Sequence, residues 1–172
     1  TDHRKPQGRL VDFFWLHKSG APWDMKGFDG KNLPVTGVNN QDAVAFCKWL
    51  SKREGRTYRV PRYYEFEFAN RAGTDQRFWW GKQPDVRKMN FGKSLIGHPT
   101  PVGSYPPNPW GFYDLHGNVW EWCSDWYGRD YYSQAPADDP PGPRHGTRKV
   151  IRGGDWYSDG RDCRSAFRYA GL

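Results

Sequence analysis

The clearest hydrophobic pattern along the chain is a helical repeat that follows Asn39 and ends at Gly55. Asn39 is a favourable helix N-cap, and Asp42, three residues later, can complete a capping box. Gly55 suits the position just after a helix, where a left-handed backbone is common. The pattern therefore predicts a helix with these apolar residues on one face: Ala43, Phe46, Cys47, Trp49 and Leu50.

The remaining elements are shorter. Residues 62–73 follow Pro61, end in glycine and predict a second helix. Alternating side chains over residues 118–127 predict a strand, and residues 148–158 predict another strand with a glycine break. Residues 57–61 predict a short strand as well. Proline and glycine dominate the intervening segments, which are expected to be loops.

Composition and charge add three points to this picture. The chain of 172 residues contains 17% aromatic but only 36% hydrophobic residues, so the core of one domain must depend on aromatic rings. It contains no apolar run of about 18 residues, so no membrane span is expected. The net charge is +7, but the basic residues are scattered and no nucleic-acid-binding motif accompanies them. We therefore expect a solvated basic surface and no nucleic-acid partner.

The cysteines and the N-terminal segment leave alternatives open. Cys47, Cys123 and Cys163 lie far apart and form no C-x-x-C motif, which argues against a zinc knuckle or a thioredoxin-type site. One disulfide with one free thiol is possible, and so are three reduced thiols. Residues 1–34 are basic and weakly patterned, and their apolar burst over residues 12–20 predicts a strand or a docking segment.

Four segments resemble the formylglycine-generating enzyme (sulfatase-modifying factor) family: AFCKWLSKREGRTYRVP, FEFANRAG, PVGSYPPNPWGFYDLHGNVWEWCSDWY and VIRGGDWYSDGRDCRSAFR. Their order and spacing cover residues 34–168. The resemblance implies an α+β, C-type-lectin-like fold with two helices, small antiparallel sheets and many irregular loops. It divides the chain into an N-terminal extension or docking segment, residues 1–33, and a family domain, residues 34–172, truncated at its C-terminal strand.

The resemblance also implies a changed reactive site. Active members hold copper with two closely spaced cysteine thiolates that follow a double glycine. Here the second position matches Cys163, the first matches Ser158, and Asp155 replaces the serine expected after the glycines. Because Cu(I) requires soft thiolate ligands, we expect no copper site and no formylglycine-generating activity. Cys163 could instead form a disulfide with Cys123 if the protein is exported, and an exported or periplasmic location is expected.

A calcium site is expected in the YDLHGNVWEW segment. Asp114 and Glu121 supply carboxylates, and backbone carbonyls can turn inward between them, which is the mixed oxygen set that Ca²⁺ takes. Similar proteins bind a structural calcium at the matching positions: Asp114, Gly117, Val119 and Glu121. The alternative is that both carboxylates cap turns or pair with arginines. A weaker second site matches Asn90 and Phe91, where Ser94 occupies the carboxylate position.

Three functions follow as hypotheses. The first is a non-catalytic binding or structural subunit of a larger assembly, in which another protein chain completes the terminal strands unless residues 1–34 cover that edge. The second is a metal-dependent oxidase of the same family. The third is a saccharide- or peptide-recognition module whose aromatic surface comprises Trp126, Tyr127, Trp156 and Tyr157.

Overall fold

The first helix begins and ends where the sequence predicts. A computed structural model describes residues 26–136 and 140–171, so the apolar burst at residues 12–20 lies outside the described residues. Helix α1 spans Asn40–Glu54. The Asn39 side chain accepts from the backbone N–H of Asp42 at 2.9 Å, and the Asp42 carboxylate accepts from the backbone N–H of Asn39 at 3.0 Å. Gly55 adopts a left-handed conformation with a φ of 65°. The predicted capping box is confirmed.

The predicted apolar face of α1 is only partly buried. Ala43 and Cys47 pack against a core cluster that contains Trp122. Phe46, however, is 50% exposed, and Trp49 is 39% exposed. The helix therefore contacts the core through its small residues and leaves these two large rings half-exposed.

The second helix, α2, spans Tyr63–Arg71. The carboxylate of Glu65 accepts from the backbone N–H of Arg62 at 2.8 Å and satisfies one donor at the helix start. Tyr63 and Phe66 are buried and belong to a core cluster with Cys123 and Val150. The predicted second helix is confirmed, and its apolar face covers the sheet.

The described residues contain one three-stranded antiparallel sheet in the order β1-β2-β3, formed by Glu121–Trp126, Lys149–Arg152 and Tyr169–Gly171. Trp122 lies opposite Ile151, and an irregularity separates this pair from Trp126. The strand predicted at residues 57–61 is wrong: that segment is irregular, and the carbonyl of Pro61 accepts from Ser124 N at 2.9 Å. The mixed α+β class is confirmed.

The C-terminal end of the described chain contributes a strand to the sheet. Strand β3 pairs with β2, with Val150 opposite Ala170, so the segment before residue 172 already contributes one strand. The truncation and the domain boundary at residue 33 stay predictions. None of the helices within the described ranges is both long and apolar enough to cross a membrane.

Candidate functional site: a glycine-led loop and two carboxylates

A fully buried arginine fixes both ends of the loop that carries the candidate site. Arg152, the last residue of β2, is 0% exposed. Its guanidinium donates to Glu67 Oε2 at 2.7 Å, to the carbonyl of Ser165 at 2.8 Å and to the carbonyl of Phe167 at 2.5 Å. These bonds join α2, the end of β2 and the segment after Cys163. The loop over residues 153–163 is therefore held at its start and at its end.

The double glycine allows the loop to fold back onto Cys163. Gly153 and Gly154 have φ values of 91° and 79°, which residues with a side chain rarely adopt. A Cβ on Gly154 would lie 2.5 Å from Cys163 Sγ. Position 154 therefore requires glycine for its conformation and for its close contact with the thiol.

Ser158 is bonded to Asp155. Its hydroxyl donates to Asp155 Oδ1 at 2.6 Å, and its backbone N–H donates to the same oxygen at 2.8 Å. The Asp155 N–H in turn donates to Ser158 Oγ at 3.1 Å. The Ser158 carbonyl accepts from Gly92 N at 2.9 Å, which ties this turn to the neighbouring loop. Ser158 and Asp155 thus form a closed local network.

Cys163 is 0% exposed and packs in a cluster with Phe78, Met89 and Phe91. Burial raises the pKa of its thiol, and the negative charge of Asp155 raises it further. The structure therefore favours a protonated thiol, whereas nucleophilic or metal-binding cysteines act as thiolates. Cys47, Cys123 and Cys163 are all free cysteines, without a Cys123–Cys163 disulfide.

His116 is buried beside this cluster and is only 4% exposed. Its Nδ1 lies 2.6 Å from the carbonyl oxygen of Cys163. Because a carbonyl only accepts, we assign the proton to Nδ1, which leaves Nε2 as a buried nitrogen without a protein partner. Desolvation lowers the pKa of His116 to about 4. The neutral ring holds the backbone of Cys163 and does not contact its thiol through this bond.

Asp114 and Glu121 come close enough to influence each other. Burial raises the pKa of Glu121 to about 8, and the charge of Asp114 contributes to the increase. Burial also raises the pKa of Asp114, whose Oδ2 accepts from Gly103 N at 2.6 Å while its Oδ1 is buried without a partner. Two repelling carboxylates with an orphaned oxygen fit a bound cation.

The loop between these carboxylates is tightly constrained. Asp114 and Gly117 have φ values of 56° and 73°. A Cβ on Gly117 would lie 2.2 Å from the carbonyl oxygen of Asn90, which also accepts from Asn118 N at 2.8 Å. Within the described ranges, no cluster of three or more His, Cys, Asp or Glu side chains could hold a metal. A cation at Asp114 and Glu121 would therefore take its other ligands from oxygens such as the predicted carbonyls of Gly117 and Val119.

The second predicted calcium loop, around Asn90 and Phe91, has fewer suitable oxygen ligands. The Ser94 hydroxyl donates to the carbonyl of Met89 at 3.3 Å and accepts from Phe91 N at 3.1 Å. The Asn90 amide donates to the carbonyl of His98 at 3.0 Å, and its Oδ1 is buried without a partner. Without a carboxylate, this loop supplies only weak ligands for Ca²⁺.

The four predicted surface aromatics lie in two different surroundings. Trp126 lies under Lys149, whose Nζ is 3.8 Å from the ring centroid, and Tyr127 lies under Arg168 at 5.0 Å. The rings of Trp156 and Tyr157 are 5.8 Å apart. They line a groove of about 550 Å³, which is formed by Gly92, Lys93, Leu95, Gly97, Trp156, Tyr157, Ser158, Asp159 and Gly160.

The sequence of this chain matches a known protein family. The sulfatase-modifying factor enzyme 1-like domain family matches residues 3–171. The chain belongs to this family. A solved structure of PvdO from Pseudomonas aeruginosa superposes with a TM-score of 0.74 and 32% identity, covering 83% of this chain and 57% of PvdO.

Relatives in this sulfatase-modifying factor family differ in their stated activities. The formylglycine-generating enzyme of Streptomyces coelicolor is 36% identical over 163 residues, which are 87% of this chain and 49% of that enzyme. The serine/threonine-protein kinase pkn1 of Chlamydia caviae is 42% identical over 139 residues, which are 79% of this chain and 21% of the kinase. The chain thus spans half or less of the length of these two relatives.

Sequence reasoning for this family domain missed two features of the site. The partners of Arg152 lie 85, 15 and 13 residues away along the chain, so no local sequence motif predicts these contacts. The groove beside Trp156 and Tyr157 combines residues 92–97 with residues 156–160. The available signal was the glycine content of both segments, since glycines permit close approach of two backbones.

Proposed function

We propose that this chain is a non-catalytic domain of the formylglycine-generating enzyme type, which acts as a protein-binding or structural module of a larger assembly. The observation that carries the proposal is the closed bonding of Ser158 with Asp155 beside a buried Cys163. Ser158 occupies the position where the resemblance expects the first thiolate. A hydroxyl is a poor ligand for Cu(I), which selects soft sulfur donors.

The environment of Cys163 supports the same proposal. Thiolate formation is opposed by burial and by the negative charge of Asp155, both of which raise the pKa of Cys163. Copper or nucleophilic chemistry at this thiol would first have to overcome that cost. Retention of the fold without the reactive pair leaves a rigid scaffold whose loops can bind a partner.

The test is an anaerobic Cu(I) titration of the wild-type chain against a competing chelator, alongside Ser158→Cys. We expect weak binding for the wild type and much tighter binding for Ser158→Cys, because two thiolates then become available. The matched control is Ser158→Cys combined with Cys163→Ala, which restores one sulfur but not the pair. Tight Cu(I) binding by the wild type would contradict the proposal.

An enzyme of the same family is the second candidate, favoured by the 36% identity to the formylglycine-generating enzyme of Streptomyces coelicolor. It predicts that the chain oxidises a peptide cysteine to an aldehyde in the presence of copper and oxygen. Mass spectrometry of such a peptide decides between the candidates: aldehyde formation that is lost in Cys163→Ala supports the enzyme. A peptide left intact by wild type supports the non-catalytic module.

A structural calcium ion fits the module. Its support is the orphaned Asp114 Oδ1 and the raised pKa of Glu121, which a divalent cation would relieve. Metal binding here would fix the loop that precedes β1. The saccharide-recognition hypothesis stays a prediction; it has less support, because its four rings are divided between two surroundings.

A further inference from the structure

Four buried side chains around the candidate site each have one polar atom that no other described residue bonds. The residues are Asn70, His116, Arg152 and Ser165, and none is more than 4% exposed. The atoms concerned are Asn70 Oδ1, His116 Nε2, Arg152 Nε and Ser165 Oγ. In native proteins, buried polar atoms are nearly always paired, either with protein or with ordered water. Four such atoms in one part of the fold therefore indicate a shared bonding partner.

The backbone brings three of these side chains together. Gly117, the residue after His116, donates its N–H to the carbonyl of Gly153, the residue after Arg152, at 2.8 Å. The Arg152 guanidinium donates to the carbonyl of Ser165 at 2.8 Å. The loop before β1, the end of β2 and the segment before β3 therefore meet at these three side chains.

Asn70 joins the same region from α2. Its Nδ2 donates to the carbonyl of Leu115, directly before His116, at 2.9 Å. Glu67, three residues earlier on the helix, accepts from the guanidinium of Arg152 at 2.7 Å. Residues three apart lie on the same face of a helix. Asn70 is therefore a neighbour of both His116 and Arg152.

The four atoms have complementary hydrogen-bonding roles. Arg152 Nε–H and the Ser165 hydroxyl can donate, and Asn70 Oδ1 can only accept. His116 Nε2 also accepts, because the neutral ring carries its proton on Nδ1, 2.6 Å from the carbonyl oxygen of Cys163. The ligand must therefore accept two hydrogen bonds and donate two. A bare anion has no hydrogen to donate, and the guanidinium repels a cation, whereas a buried water can make all four bonds.

We propose that Asn70, His116, Arg152 and Ser165 form an internal binding site for one water molecule. The water accepts from Arg152 and Ser165 and donates to Asn70 and His116. It links α2, the loop before β1, the end of β2 and the segment that follows Cys163, which together frame the candidate site. This inference goes beyond the proposed function, because it concerns what holds the scaffold together and not the chemistry or the partner of its loops.

A high-resolution crystal structure of the full wild-type chain tests the site directly. We expect one ordered water within about 2.7–3.2 Å of at least three of the four atoms. Direct bonding of the four side chains to one another overturns the proposal, and so does a separation that one water cannot bridge. A site without ordered solvent overturns it as well.

A double-mutant cycle tests the same bridge in solution. Ser165→Ala and Asn70→Ala each remove one partner of the water, so their effects on urea unfolding should be non-additive, by roughly fivefold in the unfolding equilibrium constant. The matched control combines Asn70→Ala with Ser51→Ala, because the Ser51 hydroxyl already donates to the carbonyl of Cys47 at 2.7 Å. The control pair should be additive. Additivity of Ser165→Ala with Asn70→Ala would show that no ligand connects them.

The crystal structure requires no variant, so it decides the proposal even if the double variant does not fold. Copper titration of Ser158→Cys is a separate measurement at a different residue. Failure of the water site is therefore distinguishable from failure of the proposed function.

Discussion

Replacement of Arg152 by methionine should destabilise the protein more than any single change at the surface. Arg152 is fully buried, and its guanidinium donates hydrogen bonds to Glu67 and to the carbonyls of Ser165 and Phe167. Methionine keeps much of the apolar volume but donates no hydrogen bond. The carbonyls of Ser165 and Phe167 would then lose their donor, and each orphaned acceptor costs about 1–3 kcal/mol.

We expect the loss of unfolding free energy to lie near the lower end of the combined cost of the two orphaned carbonyls. Breaking a buried ion pair costs about 3–5 kcal/mol when a charge is left uncompensated. Here the remaining charge, Glu67, is 21% exposed and also bound by Arg71 at 2.8 Å. We therefore expect Arg152→Met to lower the free energy of unfolding by about 3 kcal/mol. A domain with about 5–15 kcal/mol of stability stays folded after this loss.

Equilibrium urea unfolding followed by tryptophan fluorescence measures this loss. The matched control is Arg71→Met, which removes the other arginine from Glu67. That pair is partly exposed, so its loss should cost about 0.5 kcal/mol. Hydrogen exchange should also speed up at residues 165–167 in Arg152→Met only. If Arg152→Met costs no more than Arg71→Met, the buried guanidinium does not hold the loop.

Three further changes have defined outcomes. Arg59 lowers the pKa of Glu65 to about 2, so this pair stabilises the fold above about pH 4, and its contribution is lost as the pH falls towards 2. In urea unfolding, Glu65→Gln should remove this pH dependence of the free energy of unfolding, which amounts to under about 1 kcal/mol because the pair is exposed. Gly117→Ala should lower the melting temperature far more than Gly111→Ala, since both have positive φ but only the former Cβ would clash with backbone. Calcium removal should lower the wild-type melting temperature by several degrees and leave Asp114→Ala unchanged.

Local signals in the sequence predicted the helices well. The capping box of Asn39 with Asp42 and the terminal Gly55 are contained within one short segment, and the structure reproduces them. The sequence did not predict which residues of α1 are buried. Whether Phe46 or Ala43 faces the core depends on the sheet against which the helix packs, and this contact joins distant segments.

The candidate site was predictable in its residues but not in its bonding. Motif spacing placed Asp155, Ser158 and Cys163 in one loop, and they do share it. The closed network between Ser158 and Asp155 depends on the turn conformation, which the residue types alone do not specify. The burial of His116 was missed because it follows from packing against Phe78 and Trp80, which are distant along the chain.

The packing of Cys163, which the resemblance aligns with the family's reactive cysteine, gives this residue a structural role that does not depend on catalysis. Its Sγ occupies the space beside Gly154 that any Cβ on that glycine would enter, and Met89 and Phe91 close around it. Packing alone therefore requires a small apolar residue, and a free cysteine behaves as one. The same sulfur would be retained with or without catalysis. Under the proposed function, residue 158 distinguishes a non-catalytic site from a copper-binding one. The Ser158 hydroxyl bonds to Asp155, whereas a thiol at this position would supply a second sulfur ligand for Cu(I).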